Sequence, residues 1–200
     1  MTAAKPARLP AEARKAVIVE TALRLSDEAG PELVTTEKIA TALGLTQPAI
    51  FRHFPKKELI WTAVAEWLEK QMTAVWDEAE AETAAPAAAL KRIAMAHVKL
   101  LAATPGITAI LFSRELHFNN DLLREGLARN QKLFQARLEA PVRRGIDQGE
   151  FRAGLDARDA ALLVIAVIQS VALRWSLAHR RFDLAGEAER LLELQISGFR

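Results

Sequence analysis

The chain has 200 residues, of which half are hydrophobic and 26% are charged, as in a globular protein with a substantial core. It contains no cysteine, which excludes disulfide frameworks and thiolate metal sites, and its net charge of +2 is too small to indicate nucleic-acid binding by itself. The first residues lack an apolar segment and the longest apolar run, 160–168, is too short for a membrane span, so we expect a cytoplasmic protein without signal peptide or membrane partner.

Helical periodicity extends along nearly the whole chain, and no segment shows the alternation that is typical of a strand. In chain order the predicted helices cover about 11–29, 36–43, 47–53, 56–76 and beyond, 87–103, 106–118, 120–148, 156–180 and 184–198. We expect Pro141 to kink or split the helix over 120–148. The predicted fold is therefore all-α, with about nine helices.

The second and third helices are short and are separated by Gly44. A glycine can end a helix in the left-handed conformation without a Cβ penalty, and we expect Thr36 and Thr46 to cap the two helices. This pattern predicts a helix-turn-helix whose short second helix places its exposed first turn in a DNA major groove. The side chains expected to brace the pair are Ile39, Ala40, Leu43, Leu45, Ile50 and Phe54.

The window 38–57 around this turn holds four Lys or Arg residues and no Asp or Glu. A carboxylate there would repel the phosphate backbone, which supplies most of the affinity for DNA. The expected phosphate contacts are Thr36, Lys38, Thr46, Arg52, His53 and Lys57. We expect Gln47 to read a base edge and Pro48 and Ala49 to make apolar contacts.

Some of these assignments have alternatives. Arg52 could instead be a solvated surface charge. His53 could instead pack against the next helix. Lys5, Arg8, Arg14 and Lys15 form either an arm that follows the DNA or an ordinary tail.

Residues 35–64, TTEKIATALGLTQPAIFRHFPKKELIWTAV, resemble the signature of TetR-type (tetracycline-repressor-like) transcriptional regulators. The matching positions are Thr36, Ile39-Ala40, Gly44-Leu45-Thr46, Phe51, His53-Phe54, Lys57 and Leu59-Ile60. The specific motif covers about residues 14–62. The family commonly has tyrosine where this chain has Phe51, which can pack or touch a thymine methyl but cannot bond a phosphate through a hydroxyl.

The resemblance implies an N-terminal arm and helix-turn-helix domain over 1–55, followed by a helical effector-binding and dimerisation domain over 56–200. It implies a repressor that binds a palindromic operator as a homodimer through helix 46–53. A small, largely hydrophobic effector would release the DNA by favouring a conformation in which the spacing of the dimer's two DNA-binding heads does not match the operator. The alternative is a DNA-binding protein without a small-molecule switch, which acts architecturally or through a protein partner.

The helix over 156–180 is apolar on more than one stripe, so we expect it to be buried against both its own domain and a partner. The expected interface residues on this helix and the last one are Val164, Val167, Ile168, Val171, Leu191, Leu192, Gln195 and Phe199. A fully interior helix of a monomer is the alternative.

His97 is a polar residue on the apolar face of helix 87–103, as in ligand pockets that combine apolar walls with a few polar groups. The expected pocket residues are Trp67, Gln71, His97, Leu101, Phe112, His117, Phe118, Phe134 and Trp175. Ordinary core packing is the alternative for each of them.

An enzyme is not supported by the sequence. The histidines at positions 53, 97, 117 and 179 do not form the paired Glu-x-x-His motifs of a metal-binding helical bundle. There is no His-Glu-x-x-His, no phosphate loop and no Gly-x-Ser-x-Gly element. We therefore expect no catalytic residue, no cofactor and no metal.

Overall fold

The computed structural model describes residues 9–82 and 85–200, and all regular structure in these ranges is helical. The helices are α1 (Ala11–Ala29), α2 (Thr36–Ala42), α3 (Gln47–Phe51), α4 (Lys57–Ala81), α5 (Pro86–Ala103), α6 (Gly106–Leu111), α7 (Arg114–Phe118), α8 (Asp121–Asp147), α9 (Ala157–Leu177) and α10 (Leu184–Ser197), with a 3-10 helix, Pro31–Leu33, after α1. The all-α prediction is confirmed, with ten α-helices in the described ranges.

The extra helix arises because the predicted helix over 106–118 is divided at Phe112 and Ser113. Ser113 has an extended backbone, and its hydroxyl accepts a hydrogen bond of 3.0 Å from the Leu116 amide, which starts α7. In α8, by contrast, the expected split at Pro141 does not occur, since the helix continues for 27 residues. Packing of α8 against α4, α5 and α9 holds it together across the missing hydrogen bond.

The caps of the short helices differ in detail from the prediction. Thr35, and not Thr36, caps α2, because its hydroxyl accepts a 3.1 Å bond from the Lys38 amide while Thr36 is already helical and buried. Thr46 precedes α3 with an extended backbone, but its hydroxyl makes no capping bond. Gly44 has φ +63°, as expected for a left-handed helix end.

The helix α4 belongs to both halves of the molecule. It packs against α1 on the N-terminal side and against α5 and α8 on the other. The bundle is completed by α9 and α10, which pack on each other and on α8 and α5 respectively. One cluster of buried apolar side chains extends from α1 to α10, so the N-terminal helices sit on the same core as the bundle.

Candidate nucleic-acid interface and effector cavity

The helix-turn-helix formed by α2 and α3 is held from below by apolar side chains. Ile39, Ala40, Ile50 and Phe54 are at most 5% exposed, and Leu43 and Leu45 are partly buried on the same core. Ile50 of α3 faces inward, whereas Gln47 and Pro48 in the first turn of this helix are exposed to solvent. The brace therefore presents a short helix end at the surface, as major-groove recognition requires.

Nine of the ten residues expected to contact DNA are at least partly exposed. Lys38, Thr46, Gln47, Pro48, Phe51 and Arg52 are exposed, Ala49, His53 and Lys57 are half-buried, and Thr36 is buried. The exposed Lys56 extends the same surface and was not among the predicted contacts. Thr36 lies too deep to reach DNA directly, because it forms the first turn of α2 against the core.

Thr36 acts instead through Gln47. The Gln47 side-chain amide donates a hydrogen bond of 2.7 Å to the Thr36 hydroxyl. This bond positions the Gln47 amide at the start of α3 and occupies one of its two N–H donors. The remaining N–H and the carbonyl oxygen are the groups with which Gln47 would meet a base.

The charges around α3 are not neutralised within the protein. Ion pairs form elsewhere in the described ranges, but Lys38, Arg52, Lys56 and Lys57 have no carboxylate partner there. The start of α4 has no side-chain cap, so its first backbone amides also favour an anion. The surface is thus positive and open to phosphates.

The start of α1 lies beside the end of α3. Arg14, Arg52 and His53 border one shallow depression at this place. Lys15 forms an exposed ion pair with Glu12 at 3.1 Å, which lowers its net contribution to the positive surface. Lys5 and Arg8, the other residues of the expected arm, lie outside the described residues.

A second feature is a cavity of about 270 Å³ that is enclosed by residues of the helices α4 through α9. It is lined by Met72 of α4; His97 and Leu101 of α5; Leu111 and Phe112 at the end of α6; His117 of α7; Arg124, Leu127, Ala128, Asn130, Gln131 and Phe134 of α8; and Ile165, Ile168, Gln169 and Ala172 of α9. Apolar side chains predominate, with a small number of polar groups among them, as in typical ligand pockets.

Five of the nine expected pocket residues surround this cavity, namely His97, Leu101, Phe112, His117 and Phe134. The other four do not line it. Phe118 is 83% exposed, and the Trp175 indole donates a 3.1 Å bond to the Phe182 carbonyl, so it has a packing role. Trp67 and Gln71 are half-buried on faces of α4 that lie off the cavity, where Met72 is the lining residue.

Asn130 lines the cavity but was not among the expected pocket residues. This asparagine continues an apolar stripe of α8 formed by Leu123, Leu127, Phe134 and Leu138, at helical spacing. A polar residue on an apolar stripe is the signal that identified His97, and it was present here too.

The cavity has a buried end and an exposed rim. Met72, His97, Asn130 and Phe134 are less than 9% exposed and form the buried end. Phe112, Arg124, Gln131 and Gln169 are exposed lining residues and form the rim. The charge at the rim is that of Arg124, which pairs with Asp121 at 2.7 Å.

His97 is electrically neutral at the buried end. Burial lowers the pKa of its imidazole from 6.5 to about 4, because water no longer stabilises the charged ring. The ring stacks on Phe134 with 4.2 Å between centroids and on Trp76 with 5.8 Å. These contacts fix the plane of the imidazole.

The α9–α10 face is an exposed groove lined by Leu163, Ala166, Val167, Ser170, Leu191, Leu194, Gln195 and Gly198. Val167, Leu191 and Gln195 of the expected dimer set lie here. The other five positions are corrected by the structure: Val164, Ile168, Val171, Leu192 and Phe199 are at most 2% exposed, because they face the protomer's own core.

By length and composition, α9 is also the one described helix apolar enough to cross a membrane, and 44% of that stretch is buried here.

The two family profiles that match the chain cover most of it. Residues 18–64 match the family described as bacterial regulatory proteins, tetR family, and residues 66–198 match the C-terminal region of YsiA-like protein. Among curated relatives, the fatty acid metabolism regulator protein of Bacillus subtilis is 27% identical over 181 residues, 90% of this chain and 93% of that protein.

A second relative is similar over a shorter stretch. The nucleoid occlusion factor SlmA of Haemophilus ducreyi is 31% identical over 105 residues, so the chain spans about half (52%) of that relative's length. Among solved structures, the regulator FadR from Bacillus subtilis in complex with stearoyl-CoA has a TM-score of 0.79 at 24% identity, covering 92% of this chain and 99% of that one. At this identity the likeness shows the fold. The braced helix-turn-helix and both family matches agree, and the chain belongs to the tetR family of bacterial regulatory proteins.

Proposed function

We propose that the protein is a ligand-responsive repressor that binds a palindromic operator as a homodimer and leaves it when an effector fills the cavity. The observation that carries the proposal is the position of the cavity beside α6. One side of α6 lines the cavity, and its other side packs on α1. In this proposal residues 1–55 bind the operator and residues 56–200 bind the effector and the partner subunit, in the cytoplasm.

The DNA contacts follow from the exposed surface around α3. Gln47 reads a base edge, and Lys38, Arg52 and Lys57 hold phosphates on either side of it. Such a head recognises DNA best in pairs, about one helical turn apart. The α9–α10 face supplies the dimer contact, because it exposes apolar side chains on two adjacent helices and a two-fold dimer buries the same surface of both subunits.

The route between cavity and head is short. Gly106, the first residue of α6, lies so close to α1 that an added Cβ would be 2.3 Å from the Leu23 carbonyl oxygen. Beside it, the Ser113 hydroxyl that caps α7 hydrogen-bonds Glu32, in the 3-10 helix after α1. A ligand that displaces Leu111 or Phe112 therefore acts on a helix in backbone contact with the DNA-binding unit.

The effector class we propose is a fatty acyl-CoA thioester. The structurally similar regulator FadR was solved with stearoyl-CoA. The Bacillus subtilis relative that matches 90% of this chain is a fatty acid metabolism regulator protein. A cavity of about 150 Å³ holds benzene, so 270 Å³ corresponds to an acyl chain of about ten to twelve carbon atoms. Arg124 at the rim suits the anionic part of such a ligand.

The test is operator binding by the full-length protein. Fluorescence anisotropy on a palindrome from the upstream region of its own or a neighbouring gene should show affinity that falls steeply with salt. Lys57→Ala should weaken binding to all sequences and reduce the salt slope by about one per half-site, while Gln47→Ala should relax preference at one base pair. Lys132→Ala, an exposed lysine on α8, is the matched control and should change neither.

Acyl-CoA thioesters from hexanoyl to stearoyl are then added to the complex. Release of DNA with an optimum near decanoyl-CoA supports the switch. Salt-independent binding would contradict the phosphate contacts, and a monomer by light scattering would contradict the two-fold arrangement.

A second candidate function is DNA binding coupled to a protein partner, with no small-molecule switch. The observation that favours it is the similarity to a nucleoid occlusion factor over 52% of this chain. The same experiment separates the two functions, because this candidate requires operator affinity that is unchanged by every acyl chain length.

A further inference from the structure

The unpartnered polar atoms of the core are concentrated at one place. Among the described residues, the buried side-chain atoms without a hydrogen-bond partner are Trp76 Nε1, His97 Nδ1 and Asn130 Oδ1. His97 and Asn130 line the buried end of the cavity, and Trp76 stacks on His97 and on Phe134. Buried polar groups are nearly always paired, so three unpaired atoms in one cluster indicate a site that a ligand completes.

The orientation of the Asn130 amide is fixed by its neighbour on α4. Its Nδ2 donates a 3.3 Å hydrogen bond to the Ala65 carbonyl oxygen, which accepts only from the nitrogen side of the amide. The two helices touch next to this bond, since a Cβ on Gly126 would be 2.6 Å from the Ala65 Cβ. The group left over is therefore the Asn130 oxygen, which needs a donor.

The buried end has no charge with which to meet a charged ligand group. The His97 ring packs against aromatic neighbours, with 4.2 Å between its centroid and that of Phe134, and is 8% exposed. The cation of the lining, Arg124, is six residues from Asn130 on α8, or about 9 Å along the helix axis, and lies at the exposed rim. An ion at the buried end would lose its water without gaining a charged partner. An uncharged hydroxyl would replace its water with hydrogen bonds to the protein.

We propose that the buried end of the cavity binds a hydroxyl group near the far end of the effector's acyl chain. The hydroxyl donates to Asn130 Oδ1, and a His97 ring nitrogen completes its second hydrogen bond. The anionic head lies at Arg124 and the chain extends inward along α8. This inference rests on the proposed function and narrows its ligand class from acyl-CoA to distally hydroxylated acyl-CoA.

The test is calorimetric titration of the full-length protein with three ligands of equal chain length. These are decanoyl-CoA, 3-hydroxydecanoyl-CoA and 9-hydroxydecanoyl-CoA. We expect 9-hydroxydecanoyl-CoA to bind about tenfold or more tightly than decanoyl-CoA, because a site built around a hydroxyl discriminates against the ligand that lacks it. The 3-hydroxy compound should show no gain, since its hydroxyl stays near the rim.

Two substitutions remove the polar atoms while keeping the shape of the site. His97→Phe retains an aromatic ring in the stack, and Asn130→Leu retains the number and branching of the side-chain heavy atoms. Within each variant, the affinities for decanoyl-CoA and the 9-hydroxy compound should become equal, so that the preference for the hydroxylated ligand is lost. Gln71→Leu, which removes a half-buried amide off the cavity, is the control and should keep the preference. Circular dichroism checks folding, and His97→Phe carries the test if Asn130→Leu does not fold.

The possible failures are distinguishable. Equal affinity for decanoyl-CoA and 9-hydroxydecanoyl-CoA would overturn the hydroxyl subsite and leave the acyl-CoA switch in place. A preference that survives in both His97→Phe and Asn130→Leu would also overturn the subsite. Failure of all three ligands to bind would overturn the proposed effector and the subsite together.

Discussion

The surface around α3 and the buried end of the cavity both hold polar groups without protein partners, but for opposite physical reasons. Lys38, Arg52 and Lys57 are in contact with water, so leaving them unpaired has little effect on stability. His97 and Asn130 have lost water, and each unpaired atom destabilises the fold by about 1–3 kcal/mol. In the proposed function, the first region keeps its charges available for DNA at little cost in stability, whereas the second loses stability in the protein without ligand.

The largest expected effect concerns His97 and acid. Its folded pKa of about 4 lies below the unfolded value of 6.5, so the unfolded chain binds the proton first as the pH falls. Stability should therefore decrease between pH 6.5 and pH 4, by about 3 kcal/mol from this residue. Urea unfolding at a series of pH values measures the loss.

His97→Phe is the control for this acid effect, because the other titrating groups remain. The difference in free energy of unfolding between the two proteins should change by about 3 kcal/mol across that pH range. A constant difference would mean that His97 is as well solvated as the residues around α3, and the contrast between the two regions would disappear.

The next effect concerns Gly106, where α6, whose last residue Leu111 lines the cavity, contacts α1. Gly106→Ala forces α6 away from the Leu23 backbone and should destabilise the protein by about 1–3 kcal/mol. It should also weaken the release of operator by decanoyl-CoA, measured by anisotropy. Gly154→Ala is the control, since no atom lies within 4 Å of its added Cβ. Full release with unchanged stability would show that α6 does not connect the cavity to the head.

The smallest effect concerns the side chain that departs from the family pattern. Phe51, 40% exposed on α3, should gain a phosphate contact as Phe51→Tyr, with about 1 kcal/mol tighter operator binding per half-site. The salt slope should stay the same, because a hydroxyl releases no counterion. Phe118→Tyr, which adds the same hydroxyl to an exposed aromatic outside α3, should have no effect. Equal affinities of Phe51→Tyr and the unaltered protein would place this position off the DNA backbone.

The features that local chemistry determines were predictable from the sequence. α1 was predicted to end before Gly30 and α2 at Gly44, since glycine conformation and helix periodicity are local. The positive surface around α3 was also visible, because exposed groups that lack partners appear directly as an acid-free window. Within α2 the cap was misplaced by one residue, since Thr35 and Thr36 are equally good caps and only tertiary packing buries the second.

The cavity was predicted less well, because it depends on how helices distant in sequence meet. His97 was identified from its helix stripe, but Asn130 becomes part of a cavity only where α8 packs on α4 and α5. Phe118 was assigned to the pocket by residue type, although α7 is so short that the side chain projects into solvent. For α9, the apolar composition indicated two buried faces but did not show which residues face the protomer's own core.

The length of α4 determines how far one of its ends moves when the helix tilts at the other end. A helix of 25 residues is about 37 Å long, so a tilt of about 5° at its cavity end moves the other end by about 3 Å. That displacement is close to the 3.4 Å rise of one base pair. In the proposed dimer, such a tilt of α4 in both subunits would be enough to put the reading heads out of phase with the groove.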